Sequence, residues 1–156
     1  IFQFANEVNV KEFCNNFVNK QVWQFYLNSV QKGSLAFIVW HNDVLAHRSL
    51  AIKGPSKIRV PGYGNLHVKE NEFYISHCET NETYRGNGLY PFAIHSLANK
   101  VVSENLSSRI YIVTDLENLA SQRGILKAGF SHKKTKSRFA LFGARISFPI
   151  PNKCHI

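Results

Sequence analysis

One stretch of this chain has residue types at a spacing that suggests chemistry: Tyr84-Arg85-Gly86-Asn87-Gly88-Leu89-Tyr90-Pro91. Gly86 and Gly88 lack a Cβ, so they reach positive φ and let an anion close on the backbone. A β-like run, Glu72-Phe73-Tyr74-Ile75-Ser76-His77-Cys78, leads in, and an amphipathic run from Pro91 to Val102 leads out. The first N–H groups of such a helix have no intrahelical acceptor, and its macrodipole makes that end partly positive. Pro91 suits the first turn, where its missing N–H costs nothing. Strand, glycine turn and helix N-terminus together predict a phosphate site. A glycine pair taken alone also fits an ordinary strand-to-helix turn.

The flanking sequence supplies the elements that must hold this turn. Ile1 to Ala5 reads as a short strand. Asn9 caps a predicted helix with Val10, Phe13, Cys14, Phe17 and Val18 at helical spacing. A second helix is predicted from Val22 to Val30, with Trp23, Tyr26, Leu27 and Val30 on one face and Gly33 as its stop. Those aromatics either pack into a core or line a substrate slot. Ser34 to Trp40 and Val44 to Ala51 read as an antiparallel hairpin turning at His41-Asn42-Asp43. Lys53 to Asn65, with Gly54, Pro55, Pro61, Gly62 and Gly64, reads mostly as loop, and its Lys53, Lys57 and Arg59 make it cationic. Leu66 to Lys69 is a short strand before Glu72 to Thr80. After the glycine turn come a helix from Leu89 to Val102, with Phe92, Ile94, Leu97, Ala98 and Val101 as its apolar face, and a strand from Arg109 to Thr114. Asp115 or Glu117-Asn118 then caps a helix to Ala128, ended by Gly129. Phe130 to Phe142 is a last extended segment, and the tail from Gly143 fits no element. The strands before and after the Leu89–Val102 helix are expected to be parallel neighbours.

The chain of 156 residues is expected to form a single domain over 1–156, long enough for a real core. It has no run of 18 apolar residues, so no helical membrane span is expected, and the start has no signal-peptide pattern. It contains no methionine, so Ile1 is not read as a natural start. Cys14, Cys78 and Cys154 are scattered and odd in number, which fits a reducing cytoplasm rather than a disulfide framework. The His and Cys spacings match no zinc pattern, and no metal is expected. A net charge of +9 favours anionic partners: nucleic acid, acidic lipid, or nucleotide and coenzyme phosphates.

Taken together, these residues resemble the GNAT superfamily of acyl-CoA N-acyltransferases over about Ser34 to Phe142. That family's coenzyme motif runs Gln/Arg-x-x-Gly-x-Gly/Ala after its fourth strand. Arg85-Gly86-Asn87-Gly88-Leu89 matches five places, and Tyr90 departs where a small residue usually sits. The family's next helix opens on Asn and ends in Gly-Phe; here Asn118 runs to Gly129-Phe130, with Ala120 and Ser121 inside. The wording from Thr80 to Pro91 is similar to a subset of small bacterial members linked with surface-polysaccharide or amino-sugar biosynthesis. The resemblance implies a central mixed, mostly antiparallel α/β sheet flanked by helices, and a cytoplasmic acetyl-CoA-dependent N-acetyltransferase. The acceptor would be a primary amine of a small molecule such as an amino sugar or sugar nucleotide. Homodimers are common in the family.

The resemblance also assigns roles. Arg85, Gly86, Asn87, Gly88, Leu89 and Tyr90 would hold the pyrophosphate, and Cys78 and Thr80 would pair with the pantetheine arm as an extra strand does. The Cys78 N–H would polarise the thioester carbonyl, and Asn118 and Ser121 would contact the coenzyme from the next helix. The reaction needs a base and an acid. Many relatives carry a tyrosine acid four residues before the Gly of Gly-Phe, but Ile125 stands there. Candidates on the strand are Tyr74, His77 and Glu79, with His47 on the facing hairpin. His77 titrates near neutrality and suits a base acting through water; it equally suits a satisfied histidine on a half-buried strand. Cys78 as a covalent nucleophile lacks an evident His–Asp partner. Lys133, Lys134, Lys136 and Arg138 form the densest basic run, read either as a coenzyme-phosphate contact or as a solvated strand face. Two alternatives stand beside the enzyme: a catalytically silent acyl-CoA-binding or sensing domain, and a basic nucleic-acid-binding module, for which no aromatic–basic motif is present.

Overall fold

The computed structural model describes residues 2–5, 20–61, 63–107, 109–133, 135–141 and 144–150, the last two spans as backbone only. The helix expected after Asn9, together with Cys14, Cys154, Lys134 and the side chains of Lys136 and Arg138, lies outside the described residues. The elements are β1 (Phe2–Ala5), α1 (Lys20–Gln31), β2 (Leu35–His41), β3 (Val44–Lys53), β4 (Ser56–Val60), β5 (Gly64–Val68), β6 (Glu72–Thr80), a short 3-10 turn (Glu82–Tyr84), α2 (Leu89–Ser103), β7 (Arg109–Ile112), α3 (Leu119–Lys127), β8 (Thr135–Leu141) and β9 (Ala144–Ile150). A five-stranded sheet runs β1-β2-β3-β6-β7, and β4-β5 and β8-β9 form separate two-stranded ribbons. All neighbours in the large sheet are antiparallel except β6 and β7, which are parallel and joined through α2. This is the mixed, mostly antiparallel α/β sheet expected from the sequence.

Period-2 alternation gives the sheet two apolar faces. On one face Ala36, Ile38, Leu50, Ile52 and Tyr74 pack with Trp23, Tyr26 and Leu27 of α1. On the other, Phe37, Val39, Ala51, Phe73 and Ile75 pack with Ala93, Ile94, Leu97 and Val101 of α2. The aromatic stripe of α1 is therefore core, and its exposed Phe25 is the residue left for other contacts. Phe92, expected on the buried face of α2, is 48% exposed and rests edge-on against Phe2, with Ala93 taking the buried place.

Local signals set the ends of these elements. Gly33 takes φ +84 and stops α1, with Ser34 N donating to Ser29 O (3.0 Å) and Gly33 N to Val30 O (2.9 Å). Asn42 and Asp43, at φ +47 and +60, make the β2–β3 turn. Lys53 to Asn65 is not mostly loop. Its glycines and prolines punctuate a hairpin in which Ile58, Val60 and Leu66 turn inward against the α1-side core while Lys57, Arg59, Asn65 and His67 face out. Alternation over five-residue strands was masked by the turn residues crowded around it.

Leu97 is fully buried between α2 and the sheet. Leu97→Ala is expected to destabilise the fold by about 2–5 kcal/mol, read as a lower urea midpoint with an unchanged denaturant slope.

Candidate functional site

β6 carries the local event that creates the site. Its register against β3 runs Arg48↔Glu79 and then Leu50↔Ser76, so two residues, His77 and Cys78, oppose Ser49. This is a β-bulge, with His77 at φ +51, a left-handed conformation that a non-glycine residue adopts at a cost of about 1–3 kcal/mol. On its other edge β6 pairs with β7 only from Glu72↔Arg109 to Ile75↔Ile112. Beyond Ile75 the strands part, and an open cleft of about 1250 Å³ occupies the fork. Ser76 to Thr80 form one wall, Ile112 to Asp115 with Asn118, Ser121 and Gly124 the other, and Ile58 to Pro61 of the β4–β5 hairpin close one end. Arg85, Gly86 and Gly88 to Pro91 close the opposite end.

That last end presents open backbone around two left-handed glycines. Gly86 and Gly88 sit at φ +82 and +74, and a Cβ built on either meets no protein atom within 4 Å, so their open side faces free space. Gly88 is the N-cap of α2. The first intrahelical bond is Phe92 N to Gly88 O (3.1 Å), so the N–H groups of Leu89 and Tyr90 precede the helix's own acceptors. Asn87 Nδ2 donates to Tyr84 O (3.2 Å) and ties the turn down. Arg85 is exposed, paired with Glu82 (3.3 Å), and donates from Nε to Thr80 O (3.4 Å). Arg123 also lines the cleft, from α3; it belongs to neither motif, and spacing gave no signal for it.

The structure brings Tyr74, His77, Cys78, Glu79, Thr80, Arg85, Gly86, Gly88, Leu89, Tyr90, Asn118 and Ser121 to this one cleft. Several have local duties there. Asn118 caps α3, its Oδ1 accepting from Ser121 N (3.0 Å). Ser121 Oγ lies 2.9 Å from the Tyr90 hydroxyl. Tyr90 fits where a small residue was expected because Gly124 makes room: a Cβ on Gly124 would come within 2.6 Å of its ring. Tyr74 faces the α1 side, its ring centroid 5.6 Å from that of Tyr111, and burial pushes its phenol pKa up. Glu79 is paired with Arg48, whose guanidinium also lies over Trp23 and Tyr26. Lys133 is exposed and does not line the cleft.

His77 keeps an exposed edge, yet its ring rests 4.5 Å from that of Phe25 and bonds Ser76 Oγ through Nδ1 (2.8 Å). The Tyr26 hydroxyl donates to its carbonyl (2.7 Å) and pins the bulge to α1. Desolvation, aided by the Arg48 charge, lowers the imidazole pKa, so it is neutral near pH 7. Cys78 turns to the α2 side, where its thiol donates to Ser76 O (3.5 Å) and is hydrogen-bonded by Ser49 and Leu50; burial pushes it up to about 12. A thiol held protonated is a poor nucleophile.

Behind the cleft lies His47, fully buried on β3. Its Nδ1 meets Thr80 Oγ1 (2.7 Å) and its Nε2 meets Ser49 Oγ (2.7 Å), so the imidazole links the hydroxyl of one cleft residue to the hydroxyl that contacts another, Cys78. Burial lowers its pKa from 6.5 to about 4, and the Arg48 charge adds to this. As the folded chain resists this proton and the unfolded chain accepts it, the stabilisation is complete above the unfolded value and is lost as pH falls from about 6.5 to about 4. The span corresponds to about 3 kcal/mol. His47→Gln is expected to flatten this part of the stability profile in urea melts across that window; parallel wild-type and variant profiles would show that His47 does not titrate this way.

No protein-family model matches the chain, and no curated relative matches it. Solved structures do resemble it. A predicted acetyltransferase of Clostridium acetobutylicum, solved with acetyl-CoA, superposes with a TM-score of 0.56 at 17% identity, over 85% of this chain and 90% of that chain. A GNAT-family acetyltransferase of Colwellia psychrerythraea gives 0.60 at 19% identity, over 84% of this chain and 46% of the other. Glucosamine-6-phosphate N-acetyltransferase of Arabidopsis thaliana gives 0.55 at 13% identity, over 85% and 93%. The chain has the GNAT acetyltransferase fold. Among the described residues no cluster of His, Cys, Asp or Glu is arranged to hold a metal, and no helix is long and apolar enough to cross a membrane.

Proposed function

We propose that the chain is an acetyl-CoA-dependent N-acetyltransferase acting on a primary amine of a small molecule, with an amino sugar or sugar nucleotide as the acceptor class. The observation that carries this reading is the fork between β6 and β7, which runs from an unpaired strand edge into a helix N-terminus with two left-handed glycines. A nucleotide thioester needs that combination: backbone donors for its pyrophosphate at one end and a strand edge for its amide-bearing arm. The glycine turn has room for such a group, since only open space lies where each Cβ would be.

In this reading the N–H groups from Gly86 to Tyr90 hold the pyrophosphate, with Arg85 and Arg123 supplying charge at the rim. The β6 edge from Cys78 to Thr80 aligns the arm. The Cys78 N–H donates to the thioester carbonyl and stabilises negative charge as it develops there. His77, neutral near pH 7 and beside the bulge, takes the ammonium proton, directly or through water. Glu79 is committed to Arg48, and the raised pKa of Tyr74 makes it a poor base at neutral pH. The hairpin bearing Arg59 closes the end of the cleft away from the glycine turn and shapes the acceptor site. The acceptor class rests on the bacterial subset that Thr80 to Pro91 resembles. A second reading, a coenzyme-binding domain without turnover, is favoured by Ile125, a hydrocarbon packed into the α2-side core where relatives carry an acid.

Gly88→Ala places a methyl in the cradle and a residue with a Cβ at φ +74, costing about 1–2 kcal/mol of stability. Acetyl-CoA affinity by calorimetry is expected to fall at least about tenfold; unchanged affinity in a folded variant refutes the phosphate site. His77→Asn keeps a residue tolerant of φ +51 and removes the imidazole. Tested with an amine found by a thiol-release screen, the variant is expected to lose about a hundredfold in kcat or more with coenzyme affinity kept. The acidic limb of the wild-type profile is expected to lie below pH 6.5, following the lowered imidazole pKa. A variant of wild-type rate returns His77 to a structural role, and coenzyme binding without turnover on any amine supports the second reading.

A further inference from the structure

Acyl transfer from a thioester ends with a thiolate whose charge must be met, and the place of its hydrogen-bond donor is open because Ile125 has none to give. Three phenols line the cleft: Tyr74, Tyr84 and Tyr90. Tyr74 faces the α1 side and packs on Tyr111. The Tyr84 hydroxyl is bonded to His41 Nδ1 (3.2 Å), on the β2–β3 turn. Tyr90 remains. It sits in the first turn of α2, directly after the glycine cradle, with its ring laid over Gly124 and its hydroxyl 2.9 Å from Ser121 Oγ. Cys78 and His47 lie on the same face of the sheet as Tyr90, and the His47 ring centroid is 6.3 Å from its own. Ser121 and Ile125 are four residues apart on α3, so they share a helix face. The Tyr90 hydroxyl therefore reaches the face that carries Ile125, one turn nearer the helix N-terminus.

We propose that Tyr90, backed by Ser121, is the catalytic residue whose hydroxyl donates a hydrogen bond to the departing coenzyme thiolate. The assignment rests on the coenzyme reading above. As the carbon–sulfur bond breaks, its electron pair stays on sulfur. The Tyr90 O–H donates to the sulfur as its charge forms, and the thiolate then takes its proton from water. The ammonium acceptor loses two protons over the reaction, one before attack and one as the amide forms; one is balanced by the thiol, and one goes to solvent. Burial holds the Tyr90 phenol up at about 12, so it is protonated when the thiolate forms. The neighbouring His47 adds no charge near neutrality.

The test uses coenzyme A itself and needs no acceptor. Tyr90→Phe keeps the ring over Gly124 and removes the donor. Calorimetry gives the affinity of each protein for coenzyme A, and ultraviolet thiolate absorbance gives the ionisation of the bound thiol. The bound thiol is expected to ionise at least about tenfold more readily in wild type than in Tyr90→Phe, because a donated hydrogen bond stabilises the thiolate. Affinity at a pH where the thiol is protonated is expected to match. Ser121→Ala is expected to shift the ionisation the same way by less, and gives the same reading should Tyr90→Phe not fold. Equal affinity with identical thiol titration in wild type and both variants overturns Tyr90 as the donor to the thiolate and leaves the coenzyme site standing. Absence of coenzyme A binding to wild type overturns the proposed function and this assignment with it.

Discussion

The parting of β6 from β7 governs the rest of this molecule. A strand in the middle of a sheet normally spends both edges on its neighbours. β6 does so only as far as Ile75, after which β3 alone holds it. The bulge at His77 and Cys78 adds one residue to β6 and increases its local twist, which re-aims the end of the strand. α1 supports that distortion from one side, through the Tyr26 hydroxyl on the His77 carbonyl. From the other side His47 ties Thr80 back to β3. The unpaired edge is thus held open by contacts that lie behind it, and a ligand meets a surface already in shape.

The two faces of β6 divide the work. Ser76 and His77 turn toward α1 and the β4–β5 hairpin, where a proton acceptor and a cationic rim are available. Cys78 and Thr80 turn toward the α2 N-terminus, where backbone donors and the helix dipole favour negative charge. In the proposed function, one strand therefore carries the boundary between the half of the cleft that holds the coenzyme phosphates and the half that takes the amine. The bulge is what puts the adjacent Ser76 and His77 on one face without breaking the ladder to β3.

Much of this was legible from residues alone, and the limits have physical causes. Gly86, Gly88 and Asn118 signal their conformations through intrinsic preferences, so the turn, the α2 N-terminus and the α3 cap were readable at their true positions. The bulge was not readable: histidine has no strong preference for positive φ, and the φ of His77 is imposed by β3 and α1. The hairpin from Ser56 to Val68 was hidden because its turn residues outweigh its short alternating strands. Arg123 joins the cleft through tertiary packing, which no spacing along the chain encodes, and His47, a candidate from its place on the facing hairpin, lies buried behind the cleft rather than in it. Tyr90 was visible as a departure from pattern, but only the structure shows that Gly124 answers it.

The fit of the Tyr90 ring over Gly124 joins α2 and α3 more tightly than their separation in sequence suggests. The two positions are a single volume shared between two helices. A side chain can occupy it from α2 or from α3, but not from both. Any descendant of this sequence that acquires a side chain at 124 must also give up bulk at 90, and passes through an intermediate that is either clashing or hollow. Close relatives are therefore expected to keep the pair or to exchange both members together, and the order of that exchange decides whether the cleft wall is lost on the way.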